Sequence, residues 1–378
     1  MKTVIVATAW KRCLLTNYGS FFQHYALRRY LKELGYTPIR LSNPCEHYGL
    51  NYLMRTLIGN LSRALSPHPR DVGIGREIVE AFREVLMIWR FRRTYRELIG
   101  PEHEHLPVGA ADVFLAGSDQ VWTESDAMFW GDDMPDSTKR ISYAASADWH
   151  VCENNSRWQE KVPEKLGRYL AVSVREAQGA ELLKKVSRGC VPIVRVVDPV
   201  YLLSREDYCR LASPRRMFRK RTLFCYLVNI HRSADDLLRQ ICRLADAKGL
   251  DVCILGTQDA QINLPSKLQK RLGPRDFIRC MRDADYVITN SFHGIVFCTI
   301  FRKDFLVVAQ TNLPGTDQNA RQREVLRYWG LEDRMFDASQ LNELTPVRWD
   351  ADVSNDVLRS KKWLKDNLSR AIGADGRH

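Results

Sequence analysis

The sequence predicts an α/β protein with two doubly wound parallel sheets, in two Rossmann-like domains that face each other across a cleft. Short apolar runs alternate with segments of helical periodicity along most of the chain, as they do in βαβ units. An arginine-rich stretch at 213–221 interrupts this alternation, which then begins again. The length of 378 residues also favours two domains over one.

Six apolar runs in the first half of the chain are predicted to be strands. After the first run, a polar turn at 17–20 precedes residues with helical spacing, and Gly35 is predicted to cap the end of that helix. A helical insert is expected at about 50–100, and Asp198 with Pro199 closes the last strand because proline cannot continue a ladder. The six predicted strands are 4–9, 37–43, 112–119, 140–146, 170–176 and 194–203.

The second half repeats the alternation of strands and helices. Its predicted strands are 222–229, 250–256, 286–291 and 304–310, and its predicted helices are 233–248, 274–284 and 294–302. A terminal amphipathic helix at 355–373 is expected to pack back across the joint. The predicted units are therefore an N-terminal domain at 1–205, a C-terminal domain at 206–345 and the terminal segment 346–378.

The composition is that of a soluble globular protein with a basic surface. An excess of 57 Lys and Arg over 45 Asp and Glu gives a formal charge of +12, which suits phosphorylated metabolites, acidic lipid surfaces or nucleic acid. The excess is concentrated at 89–96 and 213–221, although such runs are more often solvated faces or linkers. Ten singly placed cysteines and the lack of a long apolar segment predict a cytoplasmic protein with reduced thiols.

The strongest candidate site is the segment 287–297, VITNSFHGIVF, where a buried strand ends in a polar turn and a buried helix begins. The N–H groups at the start of that helix form an anion site, and Gly294 is expected to let a ligand approach the backbone. His293 supplies a proton or a hydrogen bond at neutral pH. The alternative is a buried histidine that caps the helix, but ligands of α/β sheets bind at such strand ends.

Two stretches of the first half carry a similar pattern. Arg175 in SVREAQG stands at a strand end, where it can hold a carboxylate or phosphate, or else pair with Glu176 or Asp198. The stretch AGSDQVW, 116–122, places a carboxylate, an amide and an aromatic face at the mouth of a strand, as sugar binding requires. An Asx-turn with a packing tryptophan is the alternative interpretation of this stretch.

Other patterns argue against several function classes. The first βα turn, TNYGS at 16–20, lacks the glycines of GxGxxG, which argues against a nicotinamide or flavin cofactor. His103 and His105 have no third ligand nearby, so no metal site is predicted. The sequence contains no GxSxG, no P-loop and no HExxH, and it has no nucleic-acid-binding module.

Taken in order, these stretches resemble the polysaccharide pyruvyl transferase family, from about residue 14 to residue 331. The motifs that carry the resemblance are NYGSFFQHYAL, AGSDQVW, ISYAASAD, SVREAQGAELL, VVDPVYLL, ITNSFHGIVFCTIFRKDFLVV and NARQREVLRYWGL. Members of that family transfer a pyruvyl group from phosphoenolpyruvate onto two hydroxyls of a sugar, giving a cyclic ketal and phosphate. They resemble two-domain, GT-B-like glycosyltransferases in fold and need no redox cofactor.

The resemblance implies a donor side in the second domain and an acceptor side in the first. His293 is expected to protonate C3 of phosphoenolpyruvate or the departing phosphate, and Asp119 to orient or deprotonate an acceptor hydroxyl. Ser291 stands where some members have an arginine, so Arg321, Arg323 or the N–H groups of 293–295 are expected to replace that anchor. The expected donor-binding residues are Arg175, Ser291, His293, Gly294, Arg321 and Arg323. The expected acceptor-binding residues are Asn17, Gly19, Ser118, Asp119, Gln120 and Trp122.

The acceptor is expected to be a sugar of a polysaccharide or of its lipid-linked precursor, and the latter would suit a peripheral place at the inner face of the membrane. Three other functions fit the same sequence. One is a GT-B-type glycosyltransferase that uses a nucleotide sugar, and another is a non-catalytic carbohydrate-binding protein on the same fold. The third is non-specific polyanion binding through 213–221, which predicts weak and steeply salt-dependent affinity.

Overall fold

The computed structural model describes residues 2–8, 17–40, 58, 74–100, 111–123, 127–228, 234–255, 269–270, 272–310, 317, 319–337 and 343–373. Within these residues two parallel sheets of six strands each confirm the predicted α/β class. The strands of the first sheet are β1 Thr3–Ala7, β2 Thr37–Arg40, β3 Val113–Ala116, β4 Lys139–Ser142, β5 Tyr169–Val174 and β6 Ile193–Arg195. They lie in the order β2-β1-β3-β4-β5-β6, so β1 is an interior strand.

Seven helices of the described residues accompany this sheet: α1 Tyr18–Glu33, α2 Ile74–Leu98, α3 Ala127–Trp130, α4 Trp149–Glu153, α5 Ser156–Gly167, α6 Ala177–Ser187 and α7 Arg205–Leu211. The side chain of Asn17 caps α1 by accepting a hydrogen bond from the Ser20 N–H at 3.0 Å. Gly35 follows α1 with φ of +86°, a left-handed conformation that glycine adopts without strain, as predicted. The predicted insert is helical over α2, while most of its first half lies outside the described residues.

The last strand of the first half is much shorter than the predicted 194–203. β6 ends at Arg195, and Pro199–Leu202 forms a 3₁₀-helix. The Asp198 side chain caps this helix by accepting from the Val200 N–H at 2.9 Å. Proline occupies the first helical position, where an N–H would have no partner within the helix. Asp198-Pro199 therefore begins a helix rather than merely ending a strand.

The second sheet contains β7 Thr222–Tyr226, β8 Asp251–Leu255, β9 Gln269–Lys270, β10 Tyr286–Thr289, β11 Asp304–Val308 and β12 Met335–Phe336. Its strand order is β12-β11-β10-β7-β8-β9. The helices of this half are α8 Ala234–Ala247, α9 Pro274–Asp283, α10 Phe292–Phe301, α11 Ala320–Trp329 and α12 Ser354–Gly373, with a 3₁₀-helix at Glu332–Arg334. The predicted strand and helix types of this half are therefore confirmed.

The terminal helix α12 returns to the first sheet. Leu364 and Leu368 are fully buried in one cluster with Val4 of β1 and Ile141 of β4. The Ser360 hydroxyl also accepts a hydrogen bond from the Val197 N–H at 3.0 Å. The arginine-rich stretch 213–221 lies between α7 and β7, whereas the proposed limits at 205/206 and 345/346 stay predictions.

A single aromatic cluster joins the two sheets' helices. Tyr18 of α1 stacks on Phe277 of α9 with ring centroids 4.8 Å apart, and its hydroxyl donates to the Leu272 carbonyl at 2.6 Å. Phe22, one turn further along α1, meets Phe297 of α10 edge-on at 5.1 Å. The first helix of the first domain is therefore packed into the core of the second, and this contact fixes how the strand ends of the two sheets face each other.

Candidate functional site

The predicted site residues meet where the carboxyl ends of strands from both sheets come together. Asp198, which follows β6, is the centre of this arrangement. Its Oδ2 lies 2.9 Å from Arg175 Nη1, 3.2 Å from Ser118 Oγ and 3.5 Å from His293 Nε2. Arg175 and Ser118 come from the first sheet and His293 from the second, so one carboxylate contacts both domains.

His293 is the second residue of α10 and is only 7% exposed. Its Nε2 faces Asp198, while its Nδ1 edge faces Gly19 at the start of α1. A Cβ added to Gly19 would lie 2.2 Å from Nδ1, which is closer than any real contact of this kind. The imidazole of the second domain is therefore enclosed by two elements of the first, and Gly19 is required for this approach.

Asp198 is ionised at neutral pH. Burial alone would raise the pKa of its carboxyl group, but His293 and Arg175 hold this pKa well below the usual range for aspartate. Its Oδ2 lies 3.5 Å from Nε2 of His293, so the negative charge faces the imidazole ring in this buried place. A histidine beside a carboxylate can act as a general acid whose ring the carboxylate holds in place.

Arg175 is held by three side chains of the first domain. Its Nε donates to Glu176 at 2.7 Å, Nη1 to Asp198 at 2.9 Å and Nη2 to Ser146 Oγ at 3.0 Å. Burial lowers the pKa of this guanidinium group, but the carboxylates of Glu176 and Asp198 more than offset that effect and raise it. The structural pairing that the sequence left open is thus present, and two of the five guanidinium N–H groups stay available to a ligand.

The second domain covers the flat face of the Arg175 guanidinium group. The Phe292 ring of α10 lies 4.0 Å from the guanidinium carbon, a cation–π contact between the domains. Phe292 also meets His293 edge-on at 5.0 Å. Sequence reasoning did not single out Phe292, although its place between Ser291 and His293 in the polar turn was the available signal.

Asp119 adopts a left-handed conformation with φ of +73°, three residues after the end of β3. Its Oδ2 accepts from Ser20 Oγ at 2.6 Å and its Oδ1 from the Gln120 N–H at 3.0 Å. Burial would raise the pKa of this carboxyl group, but His293 and Arg175 lower it overall. Asp119 is therefore a charged group beside the histidine, and each oxygen retains a lone pair for an incoming hydroxyl.

Arg321 of α11 is a cation without an ion pair among the described residues. It lines a cavity of about 380 Å³ together with Arg175, Asp198 and Phe292. Burial and the nearby charge of Arg175 lower the pKa of Arg321, which is the response of a cation that no carboxylate neutralises directly. Arg323 is instead exposed and already paired with Asp317, so its expected donor-binding role is not supported. Like Arg323, His293 and Asp119 lie outside the lining of this cavity, which reaches the histidine only through Asp198 and Phe292.

One predicted role is wrong, and another residue has a packing role that was not predicted. Trp122 is 0% exposed, because its ring stacks on Trp130 at 4.6 Å in the core, so it offers no face to a sugar. Gly294 has a packing role, since an added Cβ would lie 2.1 Å from the Thr289 hydroxyl oxygen at the end of β10, and its expected role in ligand approach stays a prediction. The packing tryptophan was the alternative interpretation of AGSDQVW. The contact of Gly294 with the strand could not be predicted, because it depends on where α10 lies against β10.

The remaining predicted residues support the backbone of the site. Ser291 is the N-cap residue of α10, and its N–H donates to Thr289 Oγ1 at 3.1 Å. The Asn17 side chain caps α1, and the Gln120 backbone N–H donates a hydrogen bond to the Asp119 carboxylate. These residues fix the geometry of His293 and Asp119.

Glu324 is a site residue that sequence reasoning missed. Its carboxylate accepts a hydrogen bond from the Ala177 N–H at the start of α6 and lies 3.5 Å from Arg195. Burial and the neighbouring Glu176 raise the pKa of this carboxyl group. Its position three residues after Arg321 places both on one face of α11, so helical spacing was the signal that could have found it.

The described residues hold neither a metal-binding cluster nor a membrane-spanning helix. They contain no group of three or more histidine, cysteine, aspartate or glutamate side chains placed to hold a metal ion, while His103 and His105 lie outside them. No helix in this part of the chain is both long and apolar enough to cross a membrane.

The fold is similar to that of solved two-domain sugar-nucleotide enzymes. The UDP-GlcNAc 2-epimerase from Methanocaldococcus jannaschii matches with a TM-score of 0.52 and 10% sequence identity, over 98% of this chain and 100% of that chain. A structure of the epimerase from the same organism with UDP-GlcNAc and UDP matches with a TM-score of 0.50 and 11% identity, over the same shares of both chains. At such low identity the likeness shows the GT-B-like fold alone.

Sequence comparison supplies the family. A search of the curated proteins gave no significant match. A family model described as polysaccharide pyruvyl transferase matches residues 17–312, which include α1, the Asp119 turn, Arg175, Asp198 and the start of α10. The expected resemblance is confirmed, and the chain belongs to the polysaccharide pyruvyl transferase family.

Proposed function

We propose that the protein transfers a pyruvyl group from phosphoenolpyruvate to two hydroxyls of one sugar in a polysaccharide or its lipid-linked precursor. The products are a cyclic ketal and phosphate. The observation that carries this proposal is the placement of the Asp198 carboxylate, which lies 3.5 Å from Nε2 of the buried His293 and also lines a cavity with Arg321, a cation without an ion pair among the described residues. A donor that bears a carboxylate and a phosphate needs fixed cations, and its enol carbon needs an acid.

Arg321 is the proposed anchor for the donor. Its guanidinium group can hold a carboxylate or phosphate by two parallel hydrogen bonds, and no described carboxylate competes for it by an ion pair. The N–H groups in the first turn of α10, to which the Ser291 side chain makes no cap hydrogen bond, are the second proposed set of donors. Arg175 contributes positive charge and its two remaining N–H groups, although Glu176 and Asp198 neutralise much of that charge.

The proposed reaction starts with proton transfer from His293 to C3 of phosphoenolpyruvate, which makes C2 electrophilic. One sugar hydroxyl adds to C2, phosphate leaves with the C2–O bond electrons, and the second hydroxyl adds to close the ketal. Of the two protons that the hydroxyls release, one restores His293 and the other leaves with phosphate. Asp119 orients or deprotonates the acceptor, and ionised Asp198 orients His293. Acid catalysis of this kind contributes about 10²–10⁴ in rate.

The first experiment is a thermal-shift titration with phosphoenolpyruvate, run beside UDP- and GDP-sugars. Phosphoenolpyruvate at 100 times its Kd adds about 2.7 kcal/mol to the free energy of unfolding, which resolves clearly as a shift in Tm. Arg321→Gln is expected to abolish most of the shift. Arg323→Gln is the matched control, because this arginine is two residues away on the same helix but exposed and paired.

A second measurement separates binding from chemistry. His293→Ala is expected to bind phosphoenolpyruvate and to release phosphate about 10²–10⁴ times more slowly. Stabilisation by a nucleotide sugar alone would contradict the proposal and support a glycosyltransferase. Sugar binding without phosphate release under any donor would support a non-catalytic carbohydrate-binding protein.

A further inference from the structure

Helix α2 has an apolar face that the rest of the described fold does not cover. Its buried face carries Ile88, Phe91 and Tyr95, and Phe91 packs against Tyr18 of α1 at 4.9 Å between ring centroids. A second row of large apolar side chains points away from this core and is between 44% and 55% exposed. We call this row the apolar stripe; its members are Val79, Phe82, Leu86 and Trp89.

The spacing of the apolar stripe is that of one helix face. Its residues follow one another at intervals of three, four and three positions, so they form a continuous strip about three turns long. A solvated helix face normally carries polar residues, and scattered single apolar residues need no explanation. A continuous exposed strip opposite a buried face does need one.

A basic groove begins at the end of the apolar stripe. This arginine groove has a volume of about 520 Å³ and lies between α2, α7 and α9. Trp89 lines it and belongs to the stripe as well, and the Arg93 guanidinium carbon lies 5.6 Å from the Trp89 ring centroid. The arginines that line the groove are Arg90, Arg93, Arg210, Arg275 and Arg279.

The arginines of the groove outnumber their acidic partners. Glu97 is shared between Arg93 at 2.8 Å and Arg275 at 3.1 Å, and both pairs are exposed. Exposed pairs of this kind contribute little and exchange readily for other anions. The side chain of Arg90 is exposed and has no ion pair within the described part of the chain.

The arginine-rich stretch 213–221 extends the same surface. Arg279 donates through Nε to the carbonyl of Arg215 and through Nη2 to the carbonyl of Arg216, both at 3.3 Å. These contacts place the backbone of Arg215 and Arg216 beside the groove, and both residues are exposed. The two basic runs that stood apart in the sequence, 89–96 and 213–221, therefore meet at one surface.

We propose that this surface docks the protein on an anionic lipid membrane. The apolar stripe inserts at the boundary between headgroups and acyl chains, and the arginines around it bind lipid phosphates. Trp89, at the junction of both parts, occupies the place that tryptophan favours at a membrane surface. A second copy of the chain is a poorer occupant, because a symmetric contact would bring arginines of both copies together.

Docking does not depend on the pyruvyl reaction, and its test is separate. Wild-type protein is mixed with phosphatidylcholine vesicles with and without phosphatidylglycerol, and the bound fraction is measured after sedimentation. We expect binding to the anionic vesicles only, and less of it at high salt because exposed charges are screened. Phe82→Ser with Leu86→Ser is expected to weaken binding by about tenfold or more, and so is Arg90→Glu with Arg215→Glu.

Leu358→Ser is the matched control, because Leu358 is 62% exposed and belongs to α12, which contributes no residue to the apolar stripe or to the lining of the arginine groove. All variants should keep the Tm shift with phosphoenolpyruvate, which shows that folding and the donor site are intact. Absent binding, equal binding to neutral vesicles or unchanged binding by the stripe variant would overturn the proposal. So would a dimer in sedimentation equilibrium that the stripe variant dissociates, since a second copy would then be the occupant.

Discussion

At the scale of single residues, the site depends on how closely Gly19 approaches His293. Gly19→Ala is expected to displace the imidazole, since the added carbon would lie 2.2 Å from Nδ1. A misplacement of about 1 Å can lower a rate by about 10²-fold, so phosphate release should fall by that order while phosphoenolpyruvate still binds.

Gly167→Ala is the control for this change. Gly167 ends α5, and an added Cβ there would meet nothing within 4 Å. Turnover of this variant should match wild type in the same phosphate-release assay. Equal turnover of both variants would show that the contact between Gly19 and the histidine does not position the acid.

The chemistry of the site was predictable from the sequence at this scale, but its pairings were not. His293, Asp119 and Arg175 each follow an apolar strand, and strand ends of parallel sheets converge. Whether Arg175 pairs with Asp198, or whether Trp122 faces solvent, depends on how the folded segments pack, which a local sequence pattern does not show. The same limit applies to Gly294, because its contact with Thr289 depends on the angle between β10 and α10.

At the scale of elements, α12 is expected to stabilise the first domain although it follows the second in the chain. Leu368 is 0% exposed against the first sheet, so Leu368→Ala should lower the free energy of unfolding by about 2–5 kcal/mol. Leu358→Ala on the same helix should change it by less than about 0.5 kcal/mol, because that side chain is exposed. Urea unfolding measures both, and equal losses would contradict the packing of α12.

The strands and helices themselves were largely predictable, because period-two and helical patterns depend on neighbouring residues only. The exception is instructive. The run VRVVDPVYLL is apolar enough for a long strand, yet Asp198 caps a 3₁₀-helix within it. A capping carboxylate followed by proline was the local signal for a helix start. The apolar residues on both sides favoured a strand and outweighed this signal in the prediction.

At the scale of the whole molecule, the aromatic cluster around Tyr18 and Phe277 makes the two domains one folding unit. Calorimetry is expected to show a single transition whose calorimetric and van't Hoff enthalpies agree. Phe22→Ala removes a fully buried ring from the shared cluster. It should therefore lower the free energy of unfolding of the whole molecule by about 3–5 kcal/mol and lower the temperature of the single transition. Two separate transitions, of which the variant moves one, would show that the domains unfold independently.

The position of His293 between Gly19 and Asp198 has a consequence for how such proteins diverge. An exchange of domains between two relatives would join a histidine from one parent to a glycine and a carboxylate from the other. Both sheets would form, but the close approach of Gly19 to the imidazole and the 3.5 Å contact of the imidazole with Asp198 would be inherited from neither parent. The halves of this protein are therefore constrained to evolve together, and a new acceptor preference gained in one half must preserve the proton donor of the other.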